Sequence, residues 1–208
     1  MAAKLGPKKI LMTELFAPLP EGPFPVIYAD PPWSYRGQVQ HGGADKPFTS
    51  SAGTFYPVVD IDTLCDLPVE RLRDPEGSVL FLWTTGPILE DAMRLMRDWG
   101  YKYKQIAFVW DKQMVNPGSY SMTQCEYVLV GTYKKIPKPR GARNIRQFFS
   151  ERRTGHSRKP DGIARRIEEM FPTQRKLELF ARSSRLGWET YGNEKTKFDI
   201  EGEMPCPK

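Results

Sequence analysis

Two runs in this chain are apolar at almost every position, with no polar face to alternate against. They are Pro25 to Ala29 (PVIYA) and Ser78 to Thr85 (SVLFLWTT). Such runs predict strands covered on both sides, the second long enough to lie in the middle of a sheet. Tyr103 to Trp110, Glu126 to Tyr133 and Lys176 to Ala181 predict three more strands, and a Ser/Arg/Gly turn leads to a last segment, Trp188 to Glu194. Between them the period changes. Ile88, Ala92, Leu95, Met96 and Trp99 recur at helical spacing after Pro87, with Gly100 placed to end the helix. Ile163, Ala164, Ile167, Met170 and Phe171 form a second helical stripe behind Pro160, and Asp60 and Asp62 open a short helix through Leu64 and Leu67 that Pro68 stops. Strands alternating with helices predict an α/β fold with a largely parallel central sheet flanked by helices. Residues 1–24 read as an irregular, proline-punctuated segment, with one short strand or turn near Ile10 to Phe16. Ser34 to Phe55 and Pro137 to Gly155 read as long loops, and residues 195–208 as a flexible tail. No repeat or low-complexity stretch divides the chain, so residues 1–208 are expected to form a single domain.

Composition narrows the function. At 208 residues the chain can bury a sizeable core, and it has neither an apolar run of membrane-spanning length nor a signal-peptide h-region near its start. Cys65, Cys125 and Cys206 lie far apart, and His41 and His156 are the only histidines. That inventory predicts a reducing, cytoplasmic setting without a disulfide framework or a metal site. The net charge of +6 and pI near 9.2 are concentrated between Lys134 and Arg166, where only Glu151 and Asp161 oppose a long series of lysines and arginines. A polyanion is the partner such a segment suits, although a basic surface can also serve solubility alone.

Candidate chemistry follows the first strand directly, in Asp30-Pro31-Pro32-Trp33. Neither proline can continue a ladder, so the motif stands at a strand's carboxyl end, where open α/β sheets place their ligands. It offers a carboxylate, carbonyl acceptors and an indole plane. A planar base with an exocyclic amine can use all three. A rigid Pro-Pro turn with Trp33 plugging the core is the plainer alternative. A second constellation is His156-Ser157-Arg158-Lys159-Pro160-Asp161, just ahead of a helix whose free N–H groups favour an anion, with Lys159 beside it. Downstream, Arg182 closes the strand Lys176 to Ala181, and Gly192-Asn193-Glu194 follows; Arg182 and Asn193 can hydrogen-bond a ribose, and Glu194 a hydroxyl or ammonium. Each piece alone is also what an ordinary surface lysine, strand-end arginine or turn looks like. There is no G-x-G-x-x-G after the first strand and no P-loop, so nicotinamide and ATP chemistry lack their usual anchor.

Together the blocks DPPW, FLWTTG, CEYVLVG, HSRKPD, KLELFAR and GW-x-x-YGNE, in that order, resemble one family. It is the S-adenosylmethionine-dependent adenine-N6 methyltransferases named for the seventy-kilodalton subunit of the messenger-RNA adenosine methyltransferase. The resemblance spans Val26 to Glu194 and is closer to the short bacterial and phage members. It implies a Rossmann-like methyltransferase fold in permuted order, with the catalytic motif ahead of the main cofactor-binding strand, and S-adenosyl-L-methionine as cofactor. By resemblance, Asp30 and the Pro31 carbonyl hold the target amine, while Pro32 and Trp33 shape the base pocket and stack on the base. Tyr56 borders that pocket. Lys159 pairs with the cofactor's carboxylate, Arg182 binds its ribose, and Ser157, Phe180, Asn193 and Glu194 complete the cofactor pocket, with Asp30 also facing its ammonium. The chain departs from the family at Ser183, Ser184 and Arg185, where an Asn or His often follows the arginine.

An adenine-N6 methyltransferase acting on DNA is the first expectation, bound through the 134–166 region. The same reaction on RNA, and a non-catalytic nucleic-acid-binding subunit, are the alternatives. No metal or membrane is expected, and the resemblance leaves room for a homo- or heterodimer. In a duplex the amine is paired, so the base must be flipped out or taken from a single strand, with Trp33 expected to replace the lost stacking.

Overall fold

The computed structural model describes residues 18–34, 59–118, 120–154, 158–193, 196, 197 and 199. Seven strands form one sheet: β1 (Val26–Ala29), β2 (Gly77–Thr84), β3 (Lys102–Asn116), β4 (Thr123–Lys134), β5 (Phe148–Ser150), β6 (Lys176–Leu179) and β7 (Trp188–Tyr191), in the spatial order β5-β3-β4-β2-β1-β6-β7. Among the described residues three α-helices accompany them: α1 (Ile61–Cys65), α2 (Leu89–Asp98) and α3 (Asp161–Met170).

The apolar runs explain the layering. Along β1 and β2 every residue is buried, but successive side chains face opposite ways. Ile27, Ala29, Leu80 and Leu82 enter a core with Leu64 of α1 and Ala92, Leu95 and Met96 of α2. Val26, Tyr28, Val79, Phe81 and Trp83 enter a second core with Ile163, Ala164 and Ile167 of α3. The sheet is therefore sandwiched between helices, the Rossmann-like arrangement expected. All five tryptophans are buried, and each indole N–H has an acceptor, as burial of that group requires: Trp33 to the Trp83 carbonyl, Trp83 to the Tyr28 hydroxyl, Trp99 to the Leu64 carbonyl, Trp110 to the Glu151 carbonyl and Trp188 to Glu168.

The expectation of a largely parallel sheet needs refinement. β1 runs parallel to β2 and β6, β6 to β7 and β3 to β5, but β4 is antiparallel to both β2 and β3. The reason is the connection. β4 follows β3 through a hairpin, which can only join antiparallel neighbours. β3 and β4 are also longer than the apolar runs predicted, because their outer ends carry polar side chains on an extended backbone. Within the segment read as the second basic loop, Phe148–Ser150 forms β5, too short to leave a periodic signal. The predicted helix after Thr85 starts as a 3-10 turn, Gly86–Ile88, before α2, and Gly100 ends the element at φ 76°, a left-handed geometry that glycine adopts without strain. Ile10 to Phe16, Ser34's following loop from 35 to 55 and the 200–208 end lie outside the described residues.

Asp60 is the N-cap of α1. Its carboxylate accepts the Thr63 N–H at 3.0 Å and the Thr63 hydroxyl at 2.7 Å, which hold its pKa below the usual carboxylate value. Asp60→Ala should lower unfolding stability by about 1 kcal/mol in a urea titration at neutral pH. Because the folded-state pKa is depressed, that difference should shrink as pH falls below about 4 towards the folded value.

Candidate active site

Parallel register sets the site. Ala29 ends β1 opposite Leu82 of β2 and Leu179 of β6, so Asp30 and Phe180 emerge side by side at one edge of the sheet. The Asp30 N–H extends the ladder by one bond to the Leu179 carbonyl at 3.3 Å. Beyond it the prolines turn the chain. The Pro31 carbonyl accepts the Trp33 N–H at 2.8 Å, and the Pro32 carbonyl accepts the Val59 N–H at 2.8 Å. Each carbonyl thus spends one lone pair on holding the turn and keeps a second. Phe180 reverses the chain after β6 at φ 62°, a conformation rare for a bulky side chain and therefore held by its surroundings. This turn delivers Arg182 to the mouth of the site, and Ala181 is tied back to Tyr191 by a 2.9 Å backbone bond.

The charges at this edge alternate in sign. Lys159, one residue ahead of the Pro160 cap of α3, donates to Asp30 Oδ1 at 2.9 Å and to Glu126 Oε2 at 3.3 Å. Arg182 Nη2 stands 3.8 Å from Asp30 Oδ2, and Lys112 Nζ lies 3.3 Å from Glu126 Oε1. Lys112, Glu126, Lys159, Asp30 and Arg182 so form a continuous row across β3, β4, the start of α3, β1 and the turn after β6. The Lys159 ammonium also sits 5.1 Å from the centre of the Trp83 ring. Burial works against charge on Lys159, but Asp30 and Glu126 outweigh it and hold its pKa above the usual lysine value. For Glu126, burial favours the neutral form, and Lys159 and Lys112 overcome it, leaving the carboxyl below its usual range.

A second cluster lines the same cleft. Arg185 donates to Glu178 Oε2 at 3.2 Å and to Asp161 Oδ1 at 3.1 Å, joining β6 to the first turn of α3. Burial raises the pKa of Glu178 against the pull of Arg185. Tyr28 ionisation is pushed well above its normal range by burial and then by Glu178. The cleft is lined by Asp30, Lys159, Arg182, Trp83, Glu178 and Arg185 together with Tyr28, Phe180 and Arg158.

Of the residues expected at the site, Asp30, Lys159, Phe180 and Arg182 come together here, and Asn193 stands exposed after Gly192, which packs on Ala181. Tyr56, Ser157 and Glu194, with His41 and His156, lie outside the described residues. Trp33 corrects its expected role as a stacking surface. It is only 7% exposed, sits in the core with Leu82 and Val59, and donates its N–H to Trp83, so the indole plugs the loop into the core. Sequence reading passed over Glu126, Lys112, Glu178 and Arg185 as site residues. For Glu126 and Glu178 the available signal was a carboxylate beside apolar residues of a strand, which burial tolerates only with a partner. Arg185, noted as a departure, turns inward as a tie between two elements.

A family model named MT-A70 matches residues 24–194. The chain belongs to the MT-A70 family. It is 41% identical to the Type II methyltransferase M.MunI of Mycoplasma sp, over 97% of this chain and 92% of that protein. It is 30% identical to an N(6)-adenosine-methyltransferase MT-A70-like protein of Arabidopsis thaliana, over 83% of this chain and 24% of that one. With the catalytic subunit METTL3 of the Homo sapiens N(6)-adenosine-methyltransferase it shares 29% identity, over 83% of this chain and 28% of that subunit. An MT-A70 member with this homology is a methyltransferase, and that class in general uses S-adenosylmethionine.

The alternating row fits the amino-acid end of such a cofactor, a zwitterion whose carboxylate and ammonium need partners of both signs in one cleft. Lys159 and Asp30 carry charges of both signs, and they pair with each other at 2.9 Å here. Among the described residues no group of three or more His, Cys, Asp and Glu is placed to hold a metal, and no helix is long and apolar enough to cross a membrane.

Glu126→Ala should leave Lys112, 5% exposed, without its counter-charge and cost about 3–5 kcal/mol in chemical denaturation. The sign follows from the two shifts. The Glu126 contribution is present above about pH 4.3 and lost as pH falls through its depressed folded value. The Lys159 contribution is present below about pH 10.4 and lost as pH rises through its elevated folded value. Wild-type and variant stabilities should therefore converge at acid pH and differ fully near neutrality.

Proposed function

We propose that the protein transfers a methyl group from S-adenosylmethionine to the exocyclic N6 amine of adenine in DNA. The observation that carries this reading is Asp30 at the carboxyl end of β1, held between Lys159 and Arg182 beside two proline carbonyls. The N(6)-adenosine relatives supply the target atom, and the near full-length match to a Type II methyltransferase favours DNA over RNA.

Bound S-adenosylmethionine supplies a methyl group already activated on a positively charged sulfur. The residues of this chain have to bind and orient. Lys159 is placed for the cofactor carboxylate, and Arg182 for its ribose hydroxyls, with Asn193 following Gly192, which packs on Ala181 ahead of Arg182. The amine of adenine is a weak nucleophile because its lone pair is delocalised into the ring. Asp30 Oδ2, farther from its cation than Oδ1, is the carboxylate oxygen with room to accept one N–H, and the spare lone pair of the Pro31 carbonyl accepts the other. Both bonds pull the nitrogen towards tetrahedral geometry and direct its lone pair. Such positioning can supply up to ~7–11 kcal/mol of the barrier reduction. Asp30 or water then takes the surplus proton.

The 134–166 segment supports the nucleic-acid reading in part of its length. Lys134 and Lys135 lie at the far end of the sheet, where β4 pairs with Gly77, and Lys134 donates to the Pro75 carbonyl. Arg140 lies 4.8 Å from the centre of the Phe171 ring, and Arg166 donates to the Arg146 and Phe148 carbonyls. Lys159 and Arg158 line the cleft, and the Arg153 N–H bonds the Lys112 carbonyl beside it. A cytoplasmic setting suits the free thiols of Cys65 and Cys125.

Asp30→Ala should reduce methyl transfer by orders of magnitude while S-adenosylmethionine binding, read by isothermal titration, survives in weakened form. Nucleoside mass spectrometry of DNA and RNA incubated with the wild type should find N6-methyladenine in DNA. Methylation confined to RNA would overturn the choice of substrate, and full activity of Asp30→Ala the role of Asp30.

A further inference from the structure

The β3–β4 hairpin overhangs the catalytic edge. Thr84, the last residue of β2, pairs with Tyr127, yet β4 continues to Thr123, about 13 Å farther along the strand direction. Asp30 lies two strands away, about 10 Å across the sheet. The hairpin is irregular for a reason visible in its register. After Asp111 pairs with Cys125, the next pair is Asn116 with Thr123, so several β3 residues oppose a single residue of β4, with Gln113 at φ 52°. Bulges of this kind re-aim side chains beside active sites. Here Lys112 is turned inward to Glu126, while Val115 is left 53% exposed. The base is pinned by Asp111, which accepts the Gln113 N–H and the Ser150 hydroxyl, both at 2.9 Å, and the Gln124 amide.

The tip has an unusual surface. From Gln113 to Cys125 there is no charged residue, in a chain that is 27% charged. Tyr120 is fully exposed, and Met122 is 59% exposed. Basic groups stand at the foot of the hairpin: the Arg153 N–H bonds the Lys112 carbonyl at 3.1 Å, placing Arg152 and Arg153 alongside, and Arg158 lines the cleft. An uncharged apolar point set between cations matches a duplex, whose base steps are apolar and whose flanking phosphates are anionic. With Trp33 committed to the core, the stack left by an extruded adenine has no filler in the Asp30-Pro31-Pro32-Trp33 loop.

We propose that the β3–β4 tip, with Tyr120 foremost and Met122 behind it, enters the DNA duplex beside the target adenine and occupies the stacking position that the flipped base leaves. This rests on the DNA reading above and names the residues that would make a paired adenine reachable. Stacking is lost from a duplex when a base leaves it, and a ring at the tip replaces that stacking without needing any particular sequence.

The test compares two substrates. Sequencing of adenines methylated by the wild type in unmodified duplex DNA first locates the recognition site. Oligonucleotide duplexes then carry that site with the target adenine either paired with thymine or opposite an abasic position, where it is already unpaired. Tyr120→Ala should lose on the order of tenfold or more in single-turnover rate on the paired substrate and far less on the abasic one. Its thermal stability and the salt dependence of its DNA binding should match wild type, since the side chain is exposed and uncharged. Equal loss on both substrates, or loss on neither, would overturn the assignment. So would a loss accompanied by a change from dimer to monomer in sedimentation, which would make the tip a contact with a second copy. Absence of any DNA methylation by the wild type would instead bring down the substrate reading itself, and this inference with it.

Discussion

An aspartate at the end of a buried strand, with a lysine at 2.9 Å and an arginine at 3.8 Å, is the arrangement on which the rest of the site depends. A carboxylate cannot remain charged in so enclosed a place without compensation, and a lone lysine cannot either. Each charge therefore needs its neighbour, and the row extends through Glu126 to Lys112 until every member is paired. The consequence is a pre-formed cleft with both signs of charge, held by elements from both ends of the sheet. A zwitterion bound there would exchange internal ion pairs for equivalent external ones, at little added electrostatic cost.

The antiparallel β4 accounts for much of what distinguishes this architecture. In a fully parallel sheet, the neighbour of β2 would end at the catalytic edge in a loop leading to a helix. Here β4 arrives at that edge from the hairpin, so Glu126 enters beside the end of β2 and supports Lys159 from below. The same hairpin brings Lys112 to Glu126 and leaves Tyr120 exposed at its tip. One reversal of direction thus provides both the buried counter-charge and the exposed tip.

The position of α3 matters equally. It packs through Ile163, Ala164 and Ile167 on the face opposite α1 and α2, and its amino end reaches the edge where β1 and β6 finish. Arg185 ties that end to Glu178 of β6. Lys159 and Arg182 are thereby set on two walls joined by a single guanidinium. The basic segment shows the opposite behaviour: continuous in sequence, it disperses in space, with some arginines spent on aromatic rings and carbonyls and only a few left near the cleft.

By itself the sequence determined the elements and the principal acid of the site. Continuous apolar runs marked β1 and β2 as buried on both faces, helical spacing marked α2 and α3, and Pro31 and Pro32 marked the point where β1 must stop with Asp30 at its tip. These are local consequences of backbone geometry and side-chain burial, written in adjacent residues. Only the tertiary structure decided who meets whom. The pairing of Lys112 with Glu126, the inward turn of Arg185 and the burial of Trp33 depend on register and strand order between segments distant in the chain, and no local pattern encodes these. A tryptophan after two prolines suits a binding face or a core equally well, and packing against Val59 and Leu82 settled it in favour of the core.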